Sequence, residues 1–262
     1  MPIADLPLLA EGKTKIVRAN PDDPRTVFLC YKDDITAGDG LKRDVFPGKA
    51  RLDWAVSRDC FELLSHRGVR THYLDSPEER VMRVEKLDRK LELEVVTRRV
   101  AAGSILEWSD AEEGQRFDPV ITQFHYKDDR LHDPMLDDRY VDFLIRDKDA
   151  WEYASMRVMN AEVFLVLEAA FAQFGLQLVD IKLEYGIIDG ELCLIDEISG
   201  GSFRLWPYRS ATPDLDQGNV LSELAPEQRL DKDTYRMGAA ADAVLSKFHA
   251  IAEVTSRFRE VA

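Results

Sequence analysis

Cysteine is scarce in this chain, and its spacing does not suit a metal site. Only three cysteines occur among 262 residues, Cys30, Cys60 and Cys193, and none belongs to a C-x-x-C motif. An odd number of widely spaced cysteines in apolar surroundings is typical of reduced core thiols in a cytosolic protein. The sequence therefore predicts neither a disulfide framework nor a zinc site.

Positive charge and long apolar runs are also in short supply. The chain has 35 Lys and Arg against 49 Asp and Glu, which gives a formal net charge of −14. This balance disfavours nucleic acid and anionic membranes as partners, because both are polyanions. No stretch reaches the roughly 20 apolar residues of a membrane span, and the N-terminal sequence does not resemble a signal peptide. We therefore expect a cytoplasmic protein with no nucleic-acid partner and no membrane partner.

The apolar pattern predicts strands separated by turn residues. Hydrophobic residues make up 45% of the chain, which is enough to fill a core. Residues 8–31 predict an antiparallel β layer, and strand patterns resume at 69–74, 81–87 and 91–100.

Three segments have helical spacing instead. Apolar residues recur every three or four positions over 48–66, 147–174 and 231–258, which predicts three helices. The polar, Asp-rich stretch 109–140 is predicted to be a loop. Strands and helices together predict a mixed α/β protein of the α+β class.

A charged hairpin is the most informative feature of the sequence. Two strand-like runs, 178–185 and 191–198, flank Asp189-Gly190, a dipeptide that supplies the positive φ angles of a tight turn. Successive side chains of a strand point to opposite faces, so one face of the first run carries three charged residues, Asp180, Lys182 and Glu184.

The second run of the hairpin adds Asp196 and Glu197 near its end. Carboxylates gathered in this way repel one another unless a cation lies among them, which predicts a hard divalent cation with phosphate ligands. On spacing alone, the solvated face of an antiparallel sheet is an equally good interpretation.

Two short motifs near the N-terminus could contact a ligand. Gly12 precedes Lys13 and Lys15, and two lysines at this spacing in a strand would let their ammonium groups approach a polyphosphate. The motif is not a Walker loop, and a surface strand with two lysines is the simpler interpretation. Asp39 lies in a Gly/Asp-rich turn whose backbone could lie against a ligand, or which could be a plain connection.

Three further motifs carry basic residues. Arg98 is followed by small residues as far as Ser104, an arrangement in which a guanidinium fork can bind phosphate while the backbone approaches the substrate. Lys127 and Asp133 share a turn that also contains a histidine, which suits metal or proton chemistry. Arg204 could bring a second guanidinium to the substrate. The simpler interpretations are a strand end, a solvated turn and an arginine that covers the neighbouring tryptophan.

Taken in chain order, the motifs EGKTK, DITAGDG, RRVAAGS, KDDRLHDPM, LVDIKLEYG and DEIS followed by RLW resemble the SAICAR synthetase family. The resemblance runs from about residue 8 to 206. It implies a two-domain fold, with a β-rich ATP-binding domain over 1–84, a larger sheet-and-helix domain with the metal and substrate site over 85–262, and ATP in the cleft between them.

The resemblance also implies an activity in purine biosynthesis. The family uses ATP and Mg²⁺ to condense carboxyaminoimidazole ribonucleotide (CAIR) with L-aspartate, and it releases SAICAR, ADP and phosphate. Small-molecule substrates are thus the expected partners, and the sequence leaves a homo-oligomer open.

Site residues follow from the matching motifs. The catalytic residues implied by the resemblance are Lys182, Asp180 and Asp133. Those implied to bind ATP are Gly12, Lys13, Lys15 and Lys127. Those implied to bind the substrate are Asp39, Arg98, Ser104 and Arg204. The magnesium ligands implied are Glu184 and Asp196.

The chain departs from the family pattern in segments expected to touch the substrates. Where the family usually has Ser-Pro-Asp-Ser before Arg-Leu-Trp, this chain has Ser-Gly-Gly-Ser-Phe at 199–203, so an acidic residue is lost. One alternative is therefore a ligase of this family with an altered carboxylate or amine substrate in nucleoside natural-product biosynthesis. Another is a kinase-like phosphotransferase, and a third is a nucleotide-binding module without turnover.

Overall fold

Two antiparallel sheets form the framework of the computed structural model, which describes residues 1–37, 42–145, 151–208 and 228–261. The strands of the first sheet are β1 (Leu8–Glu11), β2 (Lys15–Ala19), β3 (Thr26–Tyr31), β6 (Tyr73–Glu78) and β7 (Val81–Glu85). Their spatial order is β1-β2-β3-β7-β6. A separate two-stranded sheet pairs β4 (Asp34–Ala37) with β5 (Lys42–Val45).

The second sheet carries the charged hairpin. Its strands are β8 (Arg89–Val100), β9 (Arg116–Tyr126), β10 (Met135–Leu136), β11 (Leu176–Ile188), β12 (Glu191–Ile195) and β13 (Phe203–Pro207). The order is β10-β9-β8-β11-β12, and β13 also pairs with β11. One edge of β11 therefore pairs with β8, while β13 and β12 share the other edge end to end.

Helices cover the sheets and close the core. They are α1 (Lys49–His66), α2 (Ile105–Trp108), α3 (Asp138–Ile145), α4 (Trp151–Ala172), α5 (Asp233–Arg236) and α6 (Ala241–Thr255). Helix α1 packs on the first sheet and on α6, and α4 packs on β8 and β11. Buried residues of both sheets belong to one continuous apolar cluster, which includes Leu29 of β3 and Leu183 of β11.

Backbone hydrogen bonds join the two sheets next to the hairpin. The N–H of His72 donates to the carbonyl of Leu194 at 3.0 Å, and the N–H of Leu194 donates to the carbonyl of Arg70 at 3.0 Å. Thr71 forms a parallel bridge with Leu194. The end of β12 is therefore fixed against the first sheet, and this brings Lys15 of β2 within reach of the hairpin.

The sheets and helices confirm the mixed α/β fold, but four local predictions are wrong. The strand predicted over 69–74 is β6 at Tyr73–Glu78, and the run predicted over 191–198 ends at Ile195. Strand β9 lies inside the predicted loop 109–140. Its sequence, RFDPVITQFHY, does not alternate apolar with polar residues, and only Gln123 and Phe124 are buried in it. The predicted helix over 231–258 is two helices, because Gly238, with a φ of 93°, separates α5 from α6.

Two predicted boundaries are not tested by the structure, the start of one helix and the division between the domains. The start predicted for the helix over 147–174 lies outside the described residues, and α4 is described from Trp151. The domain division near residue 84 stays a prediction.

Two adjacent glycines should respond differently to a methyl group. A Cβ at Gly200 would lie 2.8 Å from Cδ1 of Phe248, a buried ring on α6, whereas a Cβ at Gly201 would meet nothing closer than 3.5 Å. We expect Gly200→Ala to lower the free energy of unfolding by about 1–3 kcal/mol, the usual range for overpacking. Gly201→Ala is the matched control and should change it by no more than about 0.5 kcal/mol. Urea denaturation of both variants checks this, and equal losses would contradict it.

Candidate active site

Two glutamates stand side by side where β8 and β11 pair. The antiparallel register places Glu94 opposite Glu184. Lys127, just after β9, contacts both carboxylates; its Nζ lies 3.0 Å from Oε1 of Glu94. Nζ of Lys182 lies 2.6 Å from the same oxygen. The two carboxylates can lie this close because the ammonium groups of Lys127 and Lys182 offset their mutual repulsion.

The pKa values reflect this arrangement. Burial alone would raise the pKa of Glu94, but the ammonium groups of Lys182 and Lys127 outweigh it and lower that pKa to about 2. For Lys127, burial acts to lower the pKa, but Glu184 and Glu94 raise it above its ordinary value. Glu94 and Lys127 therefore stay charged at neutral pH.

The first sheet adds a lysine to the end of the hairpin. Nζ of Lys15 lies 3.0 Å from Oδ1 of Asp196 and 2.8 Å from Oε2 of Glu197. Asp196 has a φ of 71°, so the chain turns out of the sheet there and β12 ends one residue earlier. Burial opposes ionisation of Asp196, yet Lys15 and Lys90 lower its pKa to about 2. This group and the Glu94–Glu184 group form one lysine–carboxylate cluster, made of Lys15, Lys90, Glu94, Lys127, Lys182, Glu184, Asp196 and Glu197.

A second, arginine-rich cluster lies at the Asp180 end of β11. Arg98, opposite Asp180 in the register, donates from Nη1 to Oδ2 of that carboxylate at 2.5 Å. Its Nε donates to Oε1 of Gln123 at 3.0 Å, and Nη2 donates to Oγ of Ser104 at 3.2 Å. Burial lowers the pKa of Arg98 despite the neighbouring carboxylate. The guanidinium is thus held in one orientation by β9, β11 and the turn after β8.

Arg204 of β13 completes the arginine cluster. It donates from Nη1 to Oδ2 of Asp180 at 2.7 Å and from Nε to Oδ2 of Asp233 at 2.7 Å. The guanidinium fits against Gly103, where a Cβ would lie 2.5 Å from Nη2. Asp180 therefore holds two guanidinium groups, and such a pair suits bidentate binding of a phosphate.

The structure brings most of the sequence-derived residues into these two clusters. Lys15, Lys127, Lys182, Glu184 and Asp196 lie in the first cluster. Asp180, Arg98, Ser104 and Arg204 lie in the second. The N–H of Gly12 donates to the carbonyl of Lys15 at 2.8 Å, which places Gly12 and the exposed Lys13 in the turn between β1 and β2.

Two other sequence-derived residues are less well placed for their implied roles. Asp133 accepts a hydrogen bond from the N–H of Asp128 at 2.8 Å, and its carbonyl lies 3.0 Å from Nδ1 of His125. In this structure its carboxylate shapes the turn, and a catalytic role stays a prediction. Asp39 lies outside the described residues.

Sequence reasoning missed three charged residues of the clusters. Glu94 is central to the first, Lys90 approaches Oε2 of Glu184 at 2.8 Å, and Asp233 holds Arg204. The two-residue spacing of Glu94, Val96 and Arg98 could have indicated that Glu94 shares a face with Arg98. Lys90 continues the same spacing just before the predicted strand 91–100, whereas the sequence around Asp233 offers no comparable signal.

The carboxylates of the first cluster suit the magnesium ion that the resemblance implies. Within the described residues, no group of three or more His, Cys, Asp and Glu could hold a metal on protein ligands alone. Mg²⁺ does not require such a group, because it commonly binds one or two carboxylates together with phosphates and water. Oε2 of Glu184 is buried and is contacted by Nζ of Lys90 at 2.8 Å as an ion pair without hydrogen-bond geometry. Glu184 and Asp196 therefore fit a magnesium ion that arrives with a nucleotide.

Comparison with known proteins agrees with this geometry. The family model described as SAICAR synthetase matches residues 8–250. The chain belongs to the SAICAR synthetase family. Among curated relatives, the phosphoribosylaminoimidazole-succinocarboxamide synthase of Chloroflexus aurantiacus is 38% identical over 257 residues, 96% of each chain. The enzyme of the same name from Methanoculleus marisnigri is 38% identical over 231 residues, 88% of each chain.

Solved members of the SAICAR synthetase family share the fold. A SAICAR synthetase in complex with ADP has a TM-score of 0.80 and 32% identity, and the match covers 94% of this chain and 96% of that one. The synthase from Ehrlichia chaffeensis has a TM-score of 0.83 and 28% identity, over 95% of this chain and 98% of that one. Among the described helices, none has the length and apolar character needed to cross a membrane.

Glu94 should make stability depend on acid pH. Its pKa of about 2 lies below the ordinary 4.5, so its ionised form stabilises the fold above pH 4.5, and this contribution is lost as the pH falls toward 2. A shift of this size corresponds to about 3 kcal/mol at neutral pH.

We expect Glu94→Gln to lower the free energy of unfolding by about that amount at pH 7, with a gap to wild type that narrows steadily below pH 4.5. Urea denaturation at pH 7 and at pH 3.5 measures both gaps. A gap that does not change with pH would contradict the assignment.

Proposed function

We propose that this chain is an ATP-dependent carboxylate–amine ligase that joins CAIR to L-aspartate and releases SAICAR, ADP and phosphate in de novo purine biosynthesis. Relatives named for this synthase activity align over nearly the whole chain, and a similar SAICAR synthetase structure contains ADP. This activity requires the site to bind two phosphorylated ligands, ATP and CAIR.

The arrangement of two clusters of ion-paired lysines or arginines along one strand carries the proposal. Glu184 belongs to the lysine–carboxylate cluster and Asp180 to the arginine cluster. Four residues of extended strand separate them, which corresponds to roughly 13 Å. One cluster can bind the phosphates of ATP while the other binds the phosphate of a ribonucleotide, so the carboxylate of that nucleotide lies between them.

Phosphoryl transfer is the first step that this geometry supports. A carboxylate is a poor electrophile until one of its oxygens becomes bonded to phosphate. That oxygen attacks the γ-phosphorus of ATP, the bond to the β-phosphate oxygen breaks, and ADP leaves. Lys15 and Lys182 lie where their ammonium groups neutralise the phosphate charge, and such transfer depends mainly on positioning and charge neutralisation.

Amide formation is the second step. The amine of aspartate attacks the activated carbonyl carbon, the bond to the phosphate oxygen breaks, and the amine gives up a proton to the departing phosphate. Arg98 and Arg204 hold the nucleotide phosphate and so keep the carbonyl in place, since both guanidinium groups are fixed by Asp180. Glu184 and Asp196 would hold Mg²⁺, which neutralises charge on the transferring phosphoryl group.

Location and assembly are proposals as well. Cys60 and Cys193 are buried free thiols and Cys30 is a half-buried one, which suits the reducing cytoplasm. A homo-oligomer stays a prediction. Sedimentation of the purified protein distinguishes a monomer from a dimer.

Product analysis tests the proposed reaction directly. Purified protein is incubated with ATP, Mg²⁺ and CAIR, with and without aspartate, and ADP release is followed with mass analysis of the product. We expect ADP release that depends on aspartate, together with a succinocarboxamide product. ADP release without any need for an amine would favour a phosphotransferase, and ATP binding without this product would favour an altered substrate.

Variants of the two clusters should affect different kinetic constants. Glu184→Gln and Asp196→Asn should lower kcat by at least about a hundredfold, because the carboxylates proposed to bind the metal lose their charge. Arg204→Lys keeps the charge but loses the guanidinium fork, so it should mainly raise the KM for the ribonucleotide, by about tenfold or more. Steady-state kinetics with each substrate varied in turn measures these effects. Wild-type kcat in both carboxylate variants would contradict the metal assignment.

A further inference from the structure

Lys232 lies between the two clusters, immediately before α5. Its backbone adjoins Asp233, the residue that holds Arg204, and its side chain reaches toward the loop after β12. A Cβ placed on Gly201 would lie 3.7 Å from Nζ of Lys232. A methyl group there would make only ordinary van der Waals contacts, with Ser199 and Lys232, so room for a group of that size remains beside this ammonium group.

The nearby carboxylates are already bound to other cations. Oε2 of Glu197 contacts Nζ of Lys15 at 2.8 Å. Asp53 is paired with Lys49 inside α1, and Asp233 is held by Arg204 and by Arg236. In the part of the chain that the structure describes, no carboxylate oxygen lies within 4.0 Å of Nζ of Lys232.

The charges around Lys232 are mostly of its own sign. Arg236 of α5, Lys182 of β11 and Lys49 of α1 repel it, and Glu197 attracts it. Burial, followed by these three cations, lowers the pKa of Lys232 to about 7. Its ammonium form is therefore poorly compensated until an anion arrives.

Neither cluster is available for the carboxylates of aspartate, because both bind phosphate. In the proposed reaction, the phosphates of ATP occupy the lysine–carboxylate cluster, and the ribonucleotide phosphate occupies the pair Arg98 and Arg204. Aspartate then brings two carboxylates to the space between the clusters, and each needs a cationic partner. Lys232 borders this space, on the side of Gly201.

We propose that the ammonium group of Lys232 binds a carboxylate of the amine substrate, in the space left open by Gly201. This inference rests on the proposed function, because it takes aspartate as the incoming amine. Binding of the carboxylate stabilises the ammonium form, so above pH 7 the protein takes up a proton as the amine substrate binds.

Kinetics of two variants at position 232 test the contact. Lys232→Met removes the charge at similar length and should raise the KM for aspartate by about 10- to 100-fold, the usual effect of losing a hydrogen bond to a charged group. The KM values for ATP and CAIR should stay within about twofold of wild type. Lys232→Arg keeps a cation and is the matched control, which should retain most of the affinity for aspartate.

Succinate provides a readout that a purely structural lysine would not change. It carries the carboxylates of aspartate but no amine, so its inhibition constant reports binding without the titration of the nucleophile. In wild type, the inhibition constant of succinate should increase at pH values above 7, because Lys232 loses its proton. The increase should approach about tenfold per pH unit. In Lys232→Arg it should stay level up to pH 9, because arginine remains charged.

The outcomes separate this inference from the proposed function. If wild type makes no succinocarboxamide from CAIR and aspartate, the proposed function fails and this inference fails with it. If wild type is active, but Lys232→Met leaves the KM for aspartate unchanged, only this inference is overturned. The same holds if the inhibition by succinate has the same pH dependence in wild type and in Lys232→Arg.

Discussion

The register between β8 and β11 is the constraint on which the site depends. It places Arg98 opposite Asp180 and Glu94 opposite Glu184, in the interior of a six-stranded sheet. Charged groups in that position are costly unless each is paired with an opposite charge. A slip of one residue would turn the charged face of β11 toward the apolar core and bring buried residues such as Ile181 to the site. Apolar burial on one face and ion pairing on the other therefore favour the same register.

The same ion pairs prepare the site for anionic ligands. An acidic protein of net charge −14 must concentrate cations locally to hold phosphates, and here its own carboxylates keep those cations in place. Asp180 orients two guanidinium groups, and Glu94 orients Lys127 and Lys182. Side chains that are already ordered lose less conformational entropy when a ligand binds. The carboxylates of the site thus contribute to phosphate binding although they repel phosphate.

Local sequence was sufficient for the features that depend on neighbouring residues. The turn at Asp189-Gly190, with φ angles of 51° and 78°, and the alternation along β11 were both readable, as were α1 and most of α4. The partners of the charged residues were not, because they depend on strand pairing between distant segments. Glu94 meets Glu184 across 90 positions of sequence, and Arg204 meets Asp233 across 29. The run predicted over 191–198 was too long, because Asp196 adopts a left-handed conformation with a φ of 71°, which Asp tolerates better than most residues, and β12 ends before it.

The division between guanidinium and ammonium groups follows the chemistry of the proposed ligands. A planar fork held by a carboxylate matches the two oxygens of a terminal phosphate, and Arg98 and Arg204 occur where one such phosphate would bind. Lysine is a point charge whose pKa responds strongly to its surroundings, and the lysines differ in this respect. Burial acts to lower the pKa of Lys15, but Asp196 and Glu197 raise it, so its charge is permanent. Lys232 has cations around it instead, so its charge depends on whether an anion is present. A lysine with a permanent charge, such as Lys15, suits phosphates that must be held throughout turnover. A lysine whose charge depends on an anion, such as Lys232, suits a carboxylate that arrives with the substrate and leaves as part of the product.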